Sequence, residues 1–225
     1  MAVTPAQLAE VYPRLYHMAQ ADGWESIKRH GLLSTSALLD LFDVSGEQRS
    51  EIEAQRRSRS HEINHEEHGR AVIRDQKPII ESKLLSALRD CTLEEWYRLL
   101  NGRVFFWLAR ERLNTLLSAK EYRDKPHLVL TLDTLALAAD YAKSITLSPM
   151  NSGNTLPFAH PRGIATFSRM EDYPFQDRIR RGANYTVVEL AVDRGVPDVV
   201  KYLIRVDSML SKGGRVTVLK TIFRP

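Results

Sequence analysis

The sequence predicts an α+β domain on three observations. Short apolar runs of strand type alternate with amphipathic helical runs, their spacing follows no fixed period, and the C-terminal part is rich in β-type segments. The lack of a period excludes a solenoid or a propeller. At 225 residues, 43% hydrophobic and 27% charged, the chain is long enough to bury one core and too short for several. We read a single domain over residues 1–225, with a helical and polar insertion at 45–102.

The elements follow in order. Residues 14–18 predict a short strand after Pro13, and 23–30 a helix closed by Gly31. Leu32, Leu33 and Ser34 continue as a turn or short strand into a helix at 36–42. Residues 46–68 are polar, with only Ile52 and Ile63 strongly apolar, which predicts an exposed helix or a mobile insertion. Two packed helices are expected over 79–88 and 93–100, the second capped by Thr92 with Glu95 three residues on. The run VFFWL at 104–108 predicts the most buried strand, and a helix over 110–117 begins just after it. A strand at 128–132, a helix at 135–143 and a short strand at 145–147 come next. Two long connections then appear, a Pro/Gly/Asn-rich stretch at 148–163 and an aromatic, basic one at 167–184, of a length that is usually functional or disordered. Strands are expected over 185–192, 202–206 and 215–223, with Gly213-Gly214 as the turn between the last two.

Composition removes several function classes. A balance of 32 Lys+Arg against 28 Asp+Glu permits an anionic ligand without demanding nucleic acid. The single cysteine, Cys91, excludes an intrachain disulfide and a CxxC pair and suits a reducing compartment. Residues 1–20 have no continuous apolar stretch, and no window approaches the ~20 apolar residues of a membrane span, so a cytoplasmic protein with no membrane partner is expected. The chain has no GxGxxG, GxxxxGK[ST] or GxSxG. His61, Glu62 and His65 do match HExxH, but their strongly solvated flanks favour a polar segment, and no metal is expected.

Four places carry candidate chemistry. Glu189 interrupts an otherwise apolar strand at 186–192, so it either lines a cleft or, by period-2 alternation, faces outward. His17 is a lone histidine on a mixed strand, where the ordinary explanation is a hydrogen-bonded core residue. Arg110 stands at a strand-to-helix junction, where the macrodipole disfavours a cation, and this mismatch points to a grip on an anion. Arg178, Arg180 and Arg181 follow Tyr173 and Phe175, a combination that suits phosphate contact and base stacking as well as a solvated loop.

Three separated segments resemble the DarT-type branch of the ADP-ribosyltransferase superfamily and, more distantly, its diphtheria-toxin-like H-Y-E relatives. Leu15-Tyr16-His17-Met18, with Trp24-Glu25-Ser26-Ile27 and His30-Gly31-Leu32-Leu33-Ser34, is similar to that family's opening strand and following helix. Phe105 to Arg110 is similar to its aromatic strand ending in an arginine, and Val188 to Val192 followed by Val196-Pro197 to its catalytic-glutamate strand. The sequence also resembles an uncharacterised bacterial domain family sharing the segments at 75–78 and 96–107. The first resemblance implies a split mixed β-sheet core of ADP-ribosyltransferase type and a toxin-like NAD⁺-dependent mono-ADP-ribosyltransferase, with NAD as substrate, a nucleic acid or nucleotide acceptor, and an antitoxin or immunity partner. It implies Glu189 and Arg110 as catalytic, with Arg110 also on the pyrophosphate, His17 on the adenosine ribose, Ser34 as a minor contact, and Tyr16 or Phe106 stacked on nicotinamide. The acceptor would be selected by Tyr173, Arg178, Arg180 and Arg181. The alternatives are NAD⁺ hydrolysis with water as acceptor and an inactive nucleotide- or protein-binding module of the same fold, with the polar insertion as a docking arm.

Overall fold

The computed structural model describes residues 2–182 and 186–225. It opens with α1 (Pro5–Val11), started by a capping box between Thr4 and Gln7, and β1 (Arg14–Gln20). Helix α2 (Trp24–His30) ends at Gly31, after which come β2 (Leu32–Leu33) and α3 (Thr35–Leu41). Gly31 has a φ of 80°, and a Cβ there would lie 2.3 Å from the Cα of Pro197. Gly31→Ala is therefore expected to cost about 3 kcal/mol or more, seen as a fall in the urea midpoint; an unchanged midpoint would show that this turn gives way freely.

Residues 46–73 fold as α4 (Gly46–Glu53) and a hairpin of β3 (His61–His65) and β4 (Gly69–Ile73), in place of the exposed helix or mobile segment that the polar composition suggests. The few apolar side chains account for the difference. Ile52, Ile63 and Ile73 are buried with Leu39 and Phe42 in a small core of their own. The HExxH match falls in β3, where an extended chain sets His61 and His65 roughly 13 Å apart, too far to share an ion.

Helices α5 (Glu81–Ala87) and α6 (Leu93–Asn101) pack about Trp96 and Tyr97 as expected, and Thr92 and Glu95 cap each other's backbone N–H groups. Then come β5 (Arg103–Trp107), α7 (Arg110–Leu117), β6 (His127–Asp133), α8 (Thr134–Tyr141) and β7 (Ile145–Ser148). After the long connection, β8 (Ser168–Arg169) and α9 (Phe175–Arg180) lead to β9 (Glu189–Asp193), β10 (Gly195–Val196), β11 (Leu203–Lys212) and β12 (Arg215–Phe223). The strand expected over 185–192 begins at Glu189, and Asn184 and Tyr185 lie outside the described residues.

Strands β12, β11, β6, β1, β5, β9, β7 and β8 form one sheet in that order. Among the described residues every neighbouring pair in it is antiparallel, where a mixed sheet was expected. Pairing between β1 and β6 is continuous from Arg14 to Gln20. By contrast, β1 and β5 meet at one residue pair, Tyr16 opposite Trp107, so the sheet divides into two four-stranded halves that diverge from this point. One face is closed by the main core, where Phe106, Leu130 and Leu190 pack with Leu8 of α1 and Leu137 of α8. The class is α+β, and among the described residues no helix is long and apolar enough to cross a membrane.

Candidate active site

Where β1 and β5 part, a cleft opens in two lobes of about 510 and 740 Å³. His17, Arg57, Asp75, Arg103, Phe105 and Tyr122 border both lobes, so the two lobes adjoin at these residues. The gap in the sheet leaves strand-edge carbonyls that need donors. His17 supplies one: its Nδ1 lies 2.8 Å from the carbonyl oxygen of Phe105. A carbonyl only accepts, so Nδ1 carries the proton and Nε2 is left as an acceptor.

Burial lowers the His17 pKa to about 4, against the pull of the Phe105 carbonyl and with help from the nearby Arg74 charge. The ring is therefore neutral at pH 7. Because this value lies below the ordinary 6.5, the stability that neutral His17 contributes is present above pH 6.5 and is lost as pH falls from there through about 4. In an NMR titration the His17 ring protons are expected to hold still from pH 8 to about 5. A midpoint near 6.5 would mean that the ring is solvated.

Glu189 opens β9 between Trp107 and Ser148 and is 4% exposed. Alternation turns Leu190 and Phe106 into the core and leaves Glu189, Phe105 and Trp107 on the face that borders the larger lobe. Its Oε2 accepts from the Ser152 N–H at 3.0 Å. Burial raises the carboxyl to about 7, opposed by the Ser152 hydrogen bonds and by the charges of Arg112 and Arg162. Arg162 is itself buried and donates through Nη1 to the carbonyls of Ser152 (3.0 Å) and Asn154 (2.9 Å), which fixes the loop against the carboxylate. The Pro/Gly/Asn-rich connection thus forms one wall of the cleft.

The other expected site residues divide. Ser34 borders the smaller lobe, with its Oγ accepting from the Ala37 N–H as the N-cap of α3. Arg110 does not border the cleft; its guanidinium lies 5.3 Å above the Tyr16 ring, with Nη2 3.2 Å from the Met209 sulfur. Helical geometry gives the reason: Arg112, Thr115 and Leu116 make the stripe of α7 that faces the cleft, and Arg110 is about 200° round the helix from Arg112. Tyr16 lies beneath Arg110 in the cluster around Leu113, on the opposite side of β1 from His17. Phe106 is fully buried in the core, and its neighbours Phe105 and Trp107 take the cleft face. Tyr173 is also a core residue, its hydroxyl donating to the Thr186 carbonyl at 2.6 Å. Arg178 donates to the same carbonyl at 2.7 Å, Arg180 pairs with Asp177, and Arg181 caps α9. None of these four borders the cleft.

Sequence reasoning missed Arg112, Ser152 and Arg162. The helical stripe of α7 was a usable signal for Arg112, whereas nothing local marks the other two. Among the described residues no three His, Cys, Asp or Glu side chains are placed to hold a metal ion.

Residues 13–203 match a family of unknown function, DUF7002, and the chain belongs to that family. The matched range includes β1, the divided part of the sheet and β9. No curated protein and no solved structure matches the chain.

Proposed function

We propose that the chain is a NAD⁺-dependent mono-ADP-ribosyltransferase that modifies a nucleic acid or nucleotide. The observation that carries this reading is that His17 and Glu189, from opposite ends of the sequence, border one lobe of the same cleft. On this reading the division at Tyr16 and Trp107 is the split core of ADP-ribosyltransferase type, and NAD⁺ lies across the residues common to both lobes with one nucleoside in each lobe. Basic side chains bordering the cleft outnumber acidic ones, which suits a ligand that carries phosphates.

In this reaction the bond between the nicotinamide nitrogen and ribose C1′ breaks, and its electron pair leaves with nicotinamide. Ionised Glu189 holds a ribose hydroxyl and stabilises the positive charge that develops on the sugar. The acceptor's nucleophilic atom bonds to C1′, and its proton passes to the carboxylate or to water. His17 accepts from an adenosine ribose hydroxyl through Nε2, and Arg112, which borders the larger lobe with Glu189, takes the catalytic place that the resemblance gives to Arg110. With water as acceptor the same steps make a NAD glycohydrolase. The setting is cytoplasmic, and a toxin-like role brings an antitoxin or immunity partner.

The test is incubation with NAD⁺ labelled in its adenylate half and separate pools of DNA, RNA and protein, alongside an assay for released nicotinamide. Label in a nucleic acid pool is expected. Release without labelling leaves the glycohydrolase, and binding without release leaves a nucleotide-binding module.

A further inference from the structure

The polar insertion supplies more of the cleft than its composition suggests. Arg57 borders both lobes yet is only 6% exposed, and a guanidinium this buried normally has a carboxylate partner. Among the described residues none lies within 4.0 Å of it. Its Nε donates to the Arg74 carbonyl (2.8 Å), and its Nη1 to the Ile52 carbonyl (2.6 Å) and to Asn101 Oδ1 (2.8 Å). These three acceptors fix the plane of the fork, and they are neutral. Nη2 takes part in none of these bonds. Among the described residues the acidic group that attracts this charge is Asp75, which also borders both lobes and acts from beyond ion-pair distance. Arg74 adds a second cation near His17: its Nη1 donates to the Met18 carbonyl at 3.2 Å, and its guanidinium stands 4.5 Å over the Tyr122 ring. A preset, desolvated guanidinium with no carboxylate in ion-pair contact, where the two lobes adjoin, is a seat for an anion in the middle of a two-part ligand.

We propose that Arg57, contributed by the insertion, grips the diphosphate that joins the two halves of the ligand. The assignment to a nucleotide rests on the transferase reading above. The insertion is then a wall of the binding site, where a docking arm was the alternative.

The measurement is calorimetric binding of adenosine diphosphate and of adenosine to the full chain. Arg57→Lys keeps a charge and loses the planar fork, so ADP is expected to bind about 10- to 100-fold more weakly while adenosine is unaffected. Asp75→Asn keeps the acceptor for the Lys77 N–H and removes a negative charge beside the phosphates, so it is expected to tighten ADP several-fold with no change for adenosine. Should Arg57→Lys fail to fold, Asp75→Asn decides alone. The proposal falls if the unmodified chain does not bind ADP, if Arg57→Lys binds it as tightly as the unmodified chain, or if Asp75→Asn leaves ADP affinity where it was. The two readings separate cleanly. ADP affinity that depends on Arg57, without nicotinamide release from NAD⁺, removes the transferase and leaves the diphosphate grip. Nicotinamide release with an unchanged KM for NAD⁺ in Arg57→Lys does the reverse.

Discussion

Glu189→Gln is expected to lower nicotinamide release by roughly 10²- to 10³-fold or more while NAD⁺ still binds. The amide keeps an oxygen for the Ser152 N–H and fills nearly the same volume, so the cleft should retain its shape. What is lost is the negative charge where positive charge develops on the sugar. The pH profile carries a second sign. With the carboxyl pushed up to about 7, the ionised form needed for turnover accumulates only as pH passes that value, so activity in the unmodified chain should rise around neutrality. Stability runs the other way. Between the ordinary carboxyl value of 4.5 and about 7 the folded protein keeps a proton that the unfolded chain has released, and folding stability falls as pH rises through this window. Glu189→Gln should therefore be more stable than the unmodified chain at pH 8, by roughly 3 kcal/mol at most, and should lose that advantage near pH 4. Denaturant unfolding at the two pH values checks this. Equal stability differences at both would place the carboxylate in water, and a wild-type rate of nicotinamide release in the variant would remove Glu189 from the chemistry.

Phe106→Ala is expected to be the most damaging truncation in the divided part of the sheet, costing about 3–5 kcal/mol. The ring is fully buried between the β-strands and the main core, 5.7 Å from the His17 ring, and its removal leaves a cavity that the flanking strands cannot close. Phe105→Ala, one residue earlier, should cost clearly less and should weaken ligand binding, because that ring borders both lobes and is only partly covered. The two variants test the alternation directly. If Phe105→Ala proves the more destabilising of the pair, the register of β5 is wrong.

Local pattern carried most of the secondary structure. Gly31 and the Thr92–Glu95 pair marked helix ends because capping is decided within four residues. The VFFW run is legible as a strand, but which of its rings faces the cleft depends on the partner strand, and the resemblance points to Phe106 where alternation gives Phe105 and Trp107. Arg110 misled for a similar reason: a position on the helix circumference matters more than nearness to the strand, and Arg112 is on the facing side. The polar insertion hid its fold because three isoleucines were enough to anchor it on α3. Ser152 and Arg162 act through backbone groups brought together by a loop, and no residue pattern encodes that meeting.

The parting of β1 from β5 leaves two stretches of backbone with the appearance of sheet rims in the middle of a sheet, and each is blunted by a side chain: His17 on the Phe105 carbonyl and Arg74 on the Met18 carbonyl. A chain from which residues 46–78 had been excised would lose the second of these plugs and lay bare an adhesive border, so it should self-associate in preference to remaining a smaller monomer.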